Sequence, residues 1–247
     1  MWHGEIRHPR LVEVYDAECP WGWDDDFFMA VLAEHTAPRV LDLGCGTGRL
    51  AIAMAAAGHA VTGVGPAGPA LEAARRKPGA DLVEWVEGAA GSVPAGAFDA
   101  AFLTGHVAQF SVGDQEWAEL LRAVRRALVA EGRLIFDSRD PAAGIWERWN
   151  PVESRRDIVL GDGTVVEAWV EVTAVSGGVV ELTEHCLLPG GETLTGPARL
   201  RFRTEAELRQ SLDAAGFRVD RVYGGWGREP VGSSGDGELI VIAVADS

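Results

Sequence analysis

The sequence predicts an α/β protein: a doubly wound, seven-stranded, mostly parallel sheet with an antiparallel β insertion over the strand ends. Three observations carry this. From residue 39 to 140 short apolar strands alternate with helical segments, the pattern of a parallel sheet with right-handed crossovers. A glycine-rich turn, "GCGTG", joins the first strand to the first helix. Between residues 164 and 188 the hydrophobic period changes to two, which marks antiparallel strands. A chain of 247 residues that is 47% hydrophobic can bury the core such a sheet needs.

The elements follow in order. "RVLDLG" is the first strand and "TGRLAIAMAAAG" the helix after it, stopped at Gly58, where glycine takes the left-handed turn that ends helices. "HAVTGV", the helix "PALEAARRK", and the strands "DLVEWVEG" and "FDAAFLTG" come next. In "DQEWAELLRAVRRALVAEG" Trp117, Leu120, Leu121, Val124 and Leu128 recur at helical spacing, with Asp114 placed to cap the start. "RLIFDS" is the fifth strand. "TVVEAWVEVTAV" and "VVELTEHCLL", separated by "SGG", form a hairpin, and "PGGE" leads into a further extended run ending at "RLRFR". Thr204 and Glu207 have capping-box spacing at the head of "TEAELRQSLDAAGF". "RVDRVYGGW" and "ELIVIAVAD" supply the last two strands. The chain thus divides into an N-terminal segment 1–38, a core of 39–140 and 204–247, and an insertion 141–203.

A formal net charge of −15 argues against nucleic acid as a partner, because that affinity comes from Lys and Arg releasing counterions. Cys19, Cys45 and Cys186 are scattered and odd in number, so neither a disulfide framework nor a zinc site is expected. No His/Asp/Glu set has metal-ligand spacing, and no metal is expected. Without a membrane-length apolar run or an apolar export segment, the expected location is the cytoplasm, with no membrane partner.

In an open α/β sheet ligands bind at the carboxyl ends of the strands, where strand order reverses. Gly44, Gly46 and Gly48 stand there, letting backbone approach a ligand while helix N-terminal amides face it. Their spacing is neither G-x-G-x-x-G nor a P-loop. "VLDLGCGTGRLAIAMAAAGHAVTGV" closely resembles motif I and the second strand of class I S-adenosylmethionine-dependent methyltransferases, and the resemblance extends through "FDAAFLTGH", "LRAVRRALVAEGRLIFD" and "LRQSLDAAGF". It implies that Asp42, Gly44, Gly46 and Gly48 surround the methionine part of S-adenosylmethionine, and that Thr104 to His106 approach it from the other side. It also implies an acid after strand two for the ribose and another after strand three for the adenine. Gly65 and Ala89 occupy those places. Loss of a charged hydrogen bond of about 1.5 to 3 kcal/mol lowers affinity roughly tenfold to a hundredfold.

Methyl transfer needs in-line positioning of a nucleophile and, where that nucleophile carries a proton, a base. His106 is the first base candidate. Asp137 and Arg139, at the end of strand five, are placed to orient substrate or base. The resemblance implies that the segment around Tyr15 folds over the cofactor, and the insertion 141–203, placed over the strand ends, is expected to cover the substrate. His185 adjoins Glu184 in a meander strand, and alternation shelters only one of the two. Trp146, Trp149 and Trp169 in the insertion, and Trp226 beyond it, suit a small apolar or aromatic substrate.

The leading expectation is an S-adenosylmethionine-dependent methyltransferase acting on a small natural-product-type metabolite. The absence of both acids keeps a second open: a cofactor-independent cyclisation, isomerisation or elimination in secondary metabolism on the same fold. A non-catalytic binding module is the third.

Overall fold

The computed structural model describes residues 8–66, 68–233, 235 and 237–247; the first seven residues of the expected N-terminal segment lie outside these. Two helices, α1 (Pro9–Glu18) and α2 (Trp23–Ala33), precede the alternating series β1 (Arg39–Leu43), α3 (Arg49–Ala56), β2 (Ala60–Gly65), α4 (Gly68–Arg76), β3 (Val83–Glu87), β4 (Phe98–Leu103), α5 (Asp114–Ala127) and β5 (Leu128–Arg139). A meander of β6 (Arg156–Val159), β7 (Val165–Ser176), β8 (Val179–Leu187) and β9 (Thr193–Arg201) follows, then α6 (Glu205–Ala214), β10 (Phe217–Tyr223) and β11 (Glu238–Ala245).

The main sheet has the order β10-β11-β5-β4-β1-β2-β3. β1 to β5 pair in parallel, while β11 runs antiparallel to both β5 and β10. Chain order reverses between β1 and β4, which opens a crevice at their carboxyl ends. Alternation sorts side chains onto two helical layers. Leu41, Leu134, Phe136, Leu239 and Val241 meet Trp117, Leu121 and Val124 of α5 and Leu208 and Leu212 of α6. Val40, Ile135, Ile240 and Ile242 meet Phe27 and Phe28 of α2 and Leu50 and Met54 of α3. Both faces being covered, β11 is buried along its whole length.

Two expectations change at α5. Its cap is Gly113, whose N–H donates to the Glu116 carboxylate, and Asp114 is already the first helical residue. The helix also ends five residues early, at Ala127, because Leu128 pairs with Phe98 and is buried, and Glu131 takes a left-handed φ of 60°. The capping box of α6 forms as expected: Thr204 Oγ1 accepts from Glu207 N–H at 3.2 Å, and Glu207 Oε2 accepts from Thr204 N–H at 2.8 Å.

The insertion forms its own sheet, β6-β7-β8-β9, with β6 as a strand the sequence did not mark. Its inner face has cores separate from those of the main sheet. Ile158, Val166, Ala168, Cys186 and Leu188 pack against Leu11 and Val14 of α1. Val170, Leu182, Leu200 and Phe202 pack with Ile145, Trp146 and Trp149. The N-terminal segment is therefore divided: α1 belongs with the insertion, whereas α2 belongs with the core.

Trp117 is 2% exposed, lies edge-on to Phe136, and donates its Nε1–H to Ser211 Oγ at 2.9 Å. Trp117→Ala is expected to cost about 3–5 kcal/mol of stability, read as a lower urea midpoint at unchanged slope.

Candidate active site

The glycine loop is shaped by its neighbours. Gly44 has φ +82°, and a Cβ there would come within 2.5 Å of Val107. The Gly44 and Cys45 N–H groups both donate to Val64 O, at 2.7 and 3.1 Å. Gly48, at φ +80°, is the cap residue of α3, and a Cβ there would run into the Trp85 ring. Asp42 lies buried beneath the loop with Oδ1 unpartnered; burial pushes its carboxyl up to about 7, against the pull of Arg49. Half-buried backbone at Gly44 and Gly46 and an unpaired buried carboxylate oxygen fit the amino-acid end of S-adenosylmethionine, which Asp42, Gly44, Gly46 and Gly48 would hold.

Helix α1 roofs this loop. The Tyr15 hydroxyl sits 3.3 Å from where a Cβ on Gly46 would stand, and burial raises its pKa above the ordinary phenol range. Asp16 accepts from Thr47 Oγ1 at 2.5 Å and from Lys77 Nζ at 2.8 Å, tying the roof to the loop and to the residue after α4. Gly65 and Ala89 bring no carboxylate to the far end of this crevice, and Ala89 N–H donates to Ser92 Oγ.

Across the crevice, the half-buried Thr104 leads into two consecutive left-handed residues, Gly105 (φ 71°) and His106 (φ 62°). A non-glycine residue in this region is strained. Asp137 of β5 holds the turn: its Oδ2 accepts the His106 backbone N–H at 2.8 Å and lies 3.3 Å from Nε2. Glu238, the first residue of β11, faces the same nitrogen at 3.0 Å. With acceptors around it, Nε2 carries the hydrogen of the neutral ring, and Nδ1 is left as a buried acceptor with no partner.

Arg139 completes the group. Its Nη1 donates to Gln109 Oε1 at 3.1 Å and its guanidinium lies 5.5 Å from the centre of the Trp149 ring. Burial lowers the imidazolium pKa of His106, helped by Arg139, although Asp137 pulls the other way. Burial likewise pushes Asp137 up to about 6. The Glu238 and Asp137 carboxylates in turn oppose the lowering that burial imposes on the Arg139 guanidinium. Of seven buried side-chain atoms without a partner among the described residues, four lie in this group: His106 Nδ1, Gln109 Nε2, Asp137 Oδ1 and Arg139 Nε. Such a concentration of unmet hydrogen bonds marks a place built to receive a polar ligand.

His106, Asp137 and Glu238 also present three potential ligand atoms within 4.8 Å of one another. No sequence spacing shows this set, since Glu238 lies 132 residues beyond His106. The same atoms also meet one another through Nε2, and the group reads as a hydrogen-bonded cluster.

The aromatic residues are rearranged relative to expectation. Trp146 and Trp149 pack on Phe202, with ring centres at 4.7 and 6.1 Å, and of these Trp149 reaches the cluster. Trp169 and His185 stack on each other at 4.9 Å, on the face of the insertion opposite the buried Ala168, Val170 and Cys186. Strand alternation removes both from the crevice and shelters Glu184, 1% exposed, in place of His185. Trp226 is core, packed edge-on against Phe27 and Phe28. Glu238 and Gln109 were not marked by the sequence. The one available signal was a lone carboxylate, Glu238, heading an otherwise wholly apolar strand.

Comparison with known proteins agrees with this geometry. A family model described as a methyltransferase domain matches residues 40–132. A cypemycin N-terminal methyltransferase from a Streptomyces species is 30% identical over 205 residues, spanning 82% of each chain. The CcbJ methyltransferase from Streptomyces caelestis is similar in structure over 100% of both chains, with a TM-score of 0.77 and 22% identity. CalS10, an amino pentose methyltransferase from Micromonospora echinaspora solved with S-adenosylmethionine bound, covers 98% of this chain and 99% of its own, with a TM-score of 0.67 and 21% identity.

The strain at residue 106 is measurable. His106→Gly and His106→Ala remove the same imidazole, but glycine relaxes at φ 62°, so the glycine variant is expected to be the more stable by about 1–2 kcal/mol, seen by thermal or urea unfolding.

Proposed function

The chain belongs to the S-adenosylmethionine-dependent methyltransferases, and from that premise we propose that it methylates an amine nitrogen on a small natural-product-type molecule held at the His106–Asp137–Glu238 cluster. The observation that carries this is the cluster itself: two buried carboxylates and a neutral histidine which, with the adjoining Gln109 and Arg139, hold four buried polar atoms without partners, facing the glycine loop across the crevice. An amine arrives as an ammonium ion, which a carboxylate pair attracts, and it must shed a proton before its lone pair can attack. Asp137, raised to about 6, is ionised near neutrality and close enough to working pH to take that proton. His106 holds Asp137 and Glu238 together through Nε2 and offers Nδ1 as a further acceptor.

S-adenosylmethionine supplies an electrophilic methyl group when bound. The protein's part is orientation and exclusion of water: α1 closes over the loop through Tyr15 and Asp16, and Trp149 gives the substrate an apolar flank beside Arg139. An N-terminus and an amino pentose, the groups named for two of the similar proteins, both carry an amine, which supports the reading. A cofactor-independent cyclisation, isomerisation or elimination finds no support in these relatives.

Paired acceptors test the nitrogen assignment: amine-bearing molecules should gain 14 mass units as N-methyl products while their N-acetyl counterparts do not, and O-methylation alone would refute it. Because protonated Asp137 cannot accept a proton, turnover should fall as pH drops through about 6 and level off above. Asp137→Asn should remove that limb and lower kcat by about 10²–10⁴-fold in a pH–rate profile.

A further inference from the structure

The parallel register of β2 and β3 sets Gly65 directly beside Glu87. Residues paired in this way project from the same face of a sheet, about 5 Å apart. A Cβ built on Gly65 would lie 3.6 Å from Cys45 Sγ and 3.7 Å from Leu71 of α4, ordinary contacts in an ordinary backbone conformation. The missing side chain would therefore point toward the glycine loop and α4, in ordinary contact with Cys45 and Leu71. Glu87 projects on that same side. Its Oε1 and Oε2 lie 3.6 and 3.7 Å from where a Cβ on Gly68 would stand, so its carboxylate already leans over the turn from β2 into α4. Two residues without side chains, Gly65 and Gly68, leave that path clear, and Glu87 is exposed, so its carboxylate is accessible to a ligand at the strand ends.

We propose that Glu87 supplies from the neighbouring strand the ribose-binding carboxylate that Gly65 lacks. In nucleotide-binding α/β sheets an acid near the end of the second strand hydrogen-bonds ribose hydroxyls. A glutamate one strand over, reaching with its longer side chain across a glycine, delivers the same acceptor to the same place. The inference rests on use of S-adenosylmethionine and is independent of the amine assignment. The competing role for Glu87 is purely structural, a negative charge near the N-terminus of α4.

Calorimetry on the full chain separates these roles, using S-adenosylhomocysteine and its 2′-deoxy and 3′-deoxy ribose analogues. Wild type should bind the parent compound and lose affinity for the deoxy analogues. Glu87→Ala should weaken the parent about tenfold to a hundredfold and bind parent and deoxy analogues almost equally. Gly65→Asp added to Glu87→Ala should restore both affinity and discrimination. A Glu87→Ala protein that binds the parent within twofold of wild type, with the deoxy penalty intact, overturns the proposal, as does a loss of thermal stability without a change in discrimination. Failure of wild type to bind S-adenosylhomocysteine at all would overturn the cofactor premise with it, a result distinct from unchanged binding in the variant.

Discussion

The hydrogen bond from the His106 backbone to Asp137 is the contact on which the site depends. It holds a histidine in a left-handed conformation that an L-residue adopts at a cost of about 1–2 kcal/mol. The same Asp137 oxygen stands by the imidazole Nε2, so one carboxylate fixes the backbone and the ring together. That turn in turn presents Val107 to Gly44, linking the crevice wall beyond β4 to the glycine loop. Asp137 can do this because β5 lies next to β4, and Glu238 joins because β11 lies on the other side of β5. The sheet order, not proximity in sequence, assembles the cluster.

Much of the fold was legible because both faces of the main sheet are buried, which makes its strands short apolar runs and its helices amphipathic. Where two signals competed, tertiary pairing won. The helical spacing through Leu128 was real, yet Leu128 gains more by pairing with Phe98 in the sheet. β6 was missed because "RDIV" has four residues and one buried side chain, too little for a period to show.

The site was half legible. Residues at the ends of β1, β4 and β5 could be placed because the glycine loop fixes the direction of the whole sheet. Glu238 could not, since β11 is antiparallel and its first residue, not its last, reaches the crevice edge. His185 and Glu184 differ by one position and face opposite ways. Nothing in a polar alternation says which face is covered until α1 is seen to pack Leu11 and Val14 on the Ala168 and Cys186 side. Gly65 marked a real absence, but only the β2–β3 register shows which side chain stands beside it.

The division of hydrophobic cores decides where each N-terminal helix belongs. α1 and the insertion share apolar clusters of their own, while α1 meets the core through Tyr15 over Gly46 and through Asp16, bonded to Thr47 and Lys77, with Asp16 and Lys77 about one-third exposed. Exposed ion pairs contribute about 0–1 kcal/mol each, whereas the apolar contacts within the cap are worth more per side chain. Across the boundary between insertion and core, Arg203 Nη2 also donates to Ser111 O at 2.8 Å and the Arg139 guanidinium lies over the Trp149 ring. α2 lies on the core side of that boundary, since Phe27 and Phe28 are anchored beside Trp226, and the short connection from Cys19 to Gly22 carries the chain from one side to the other.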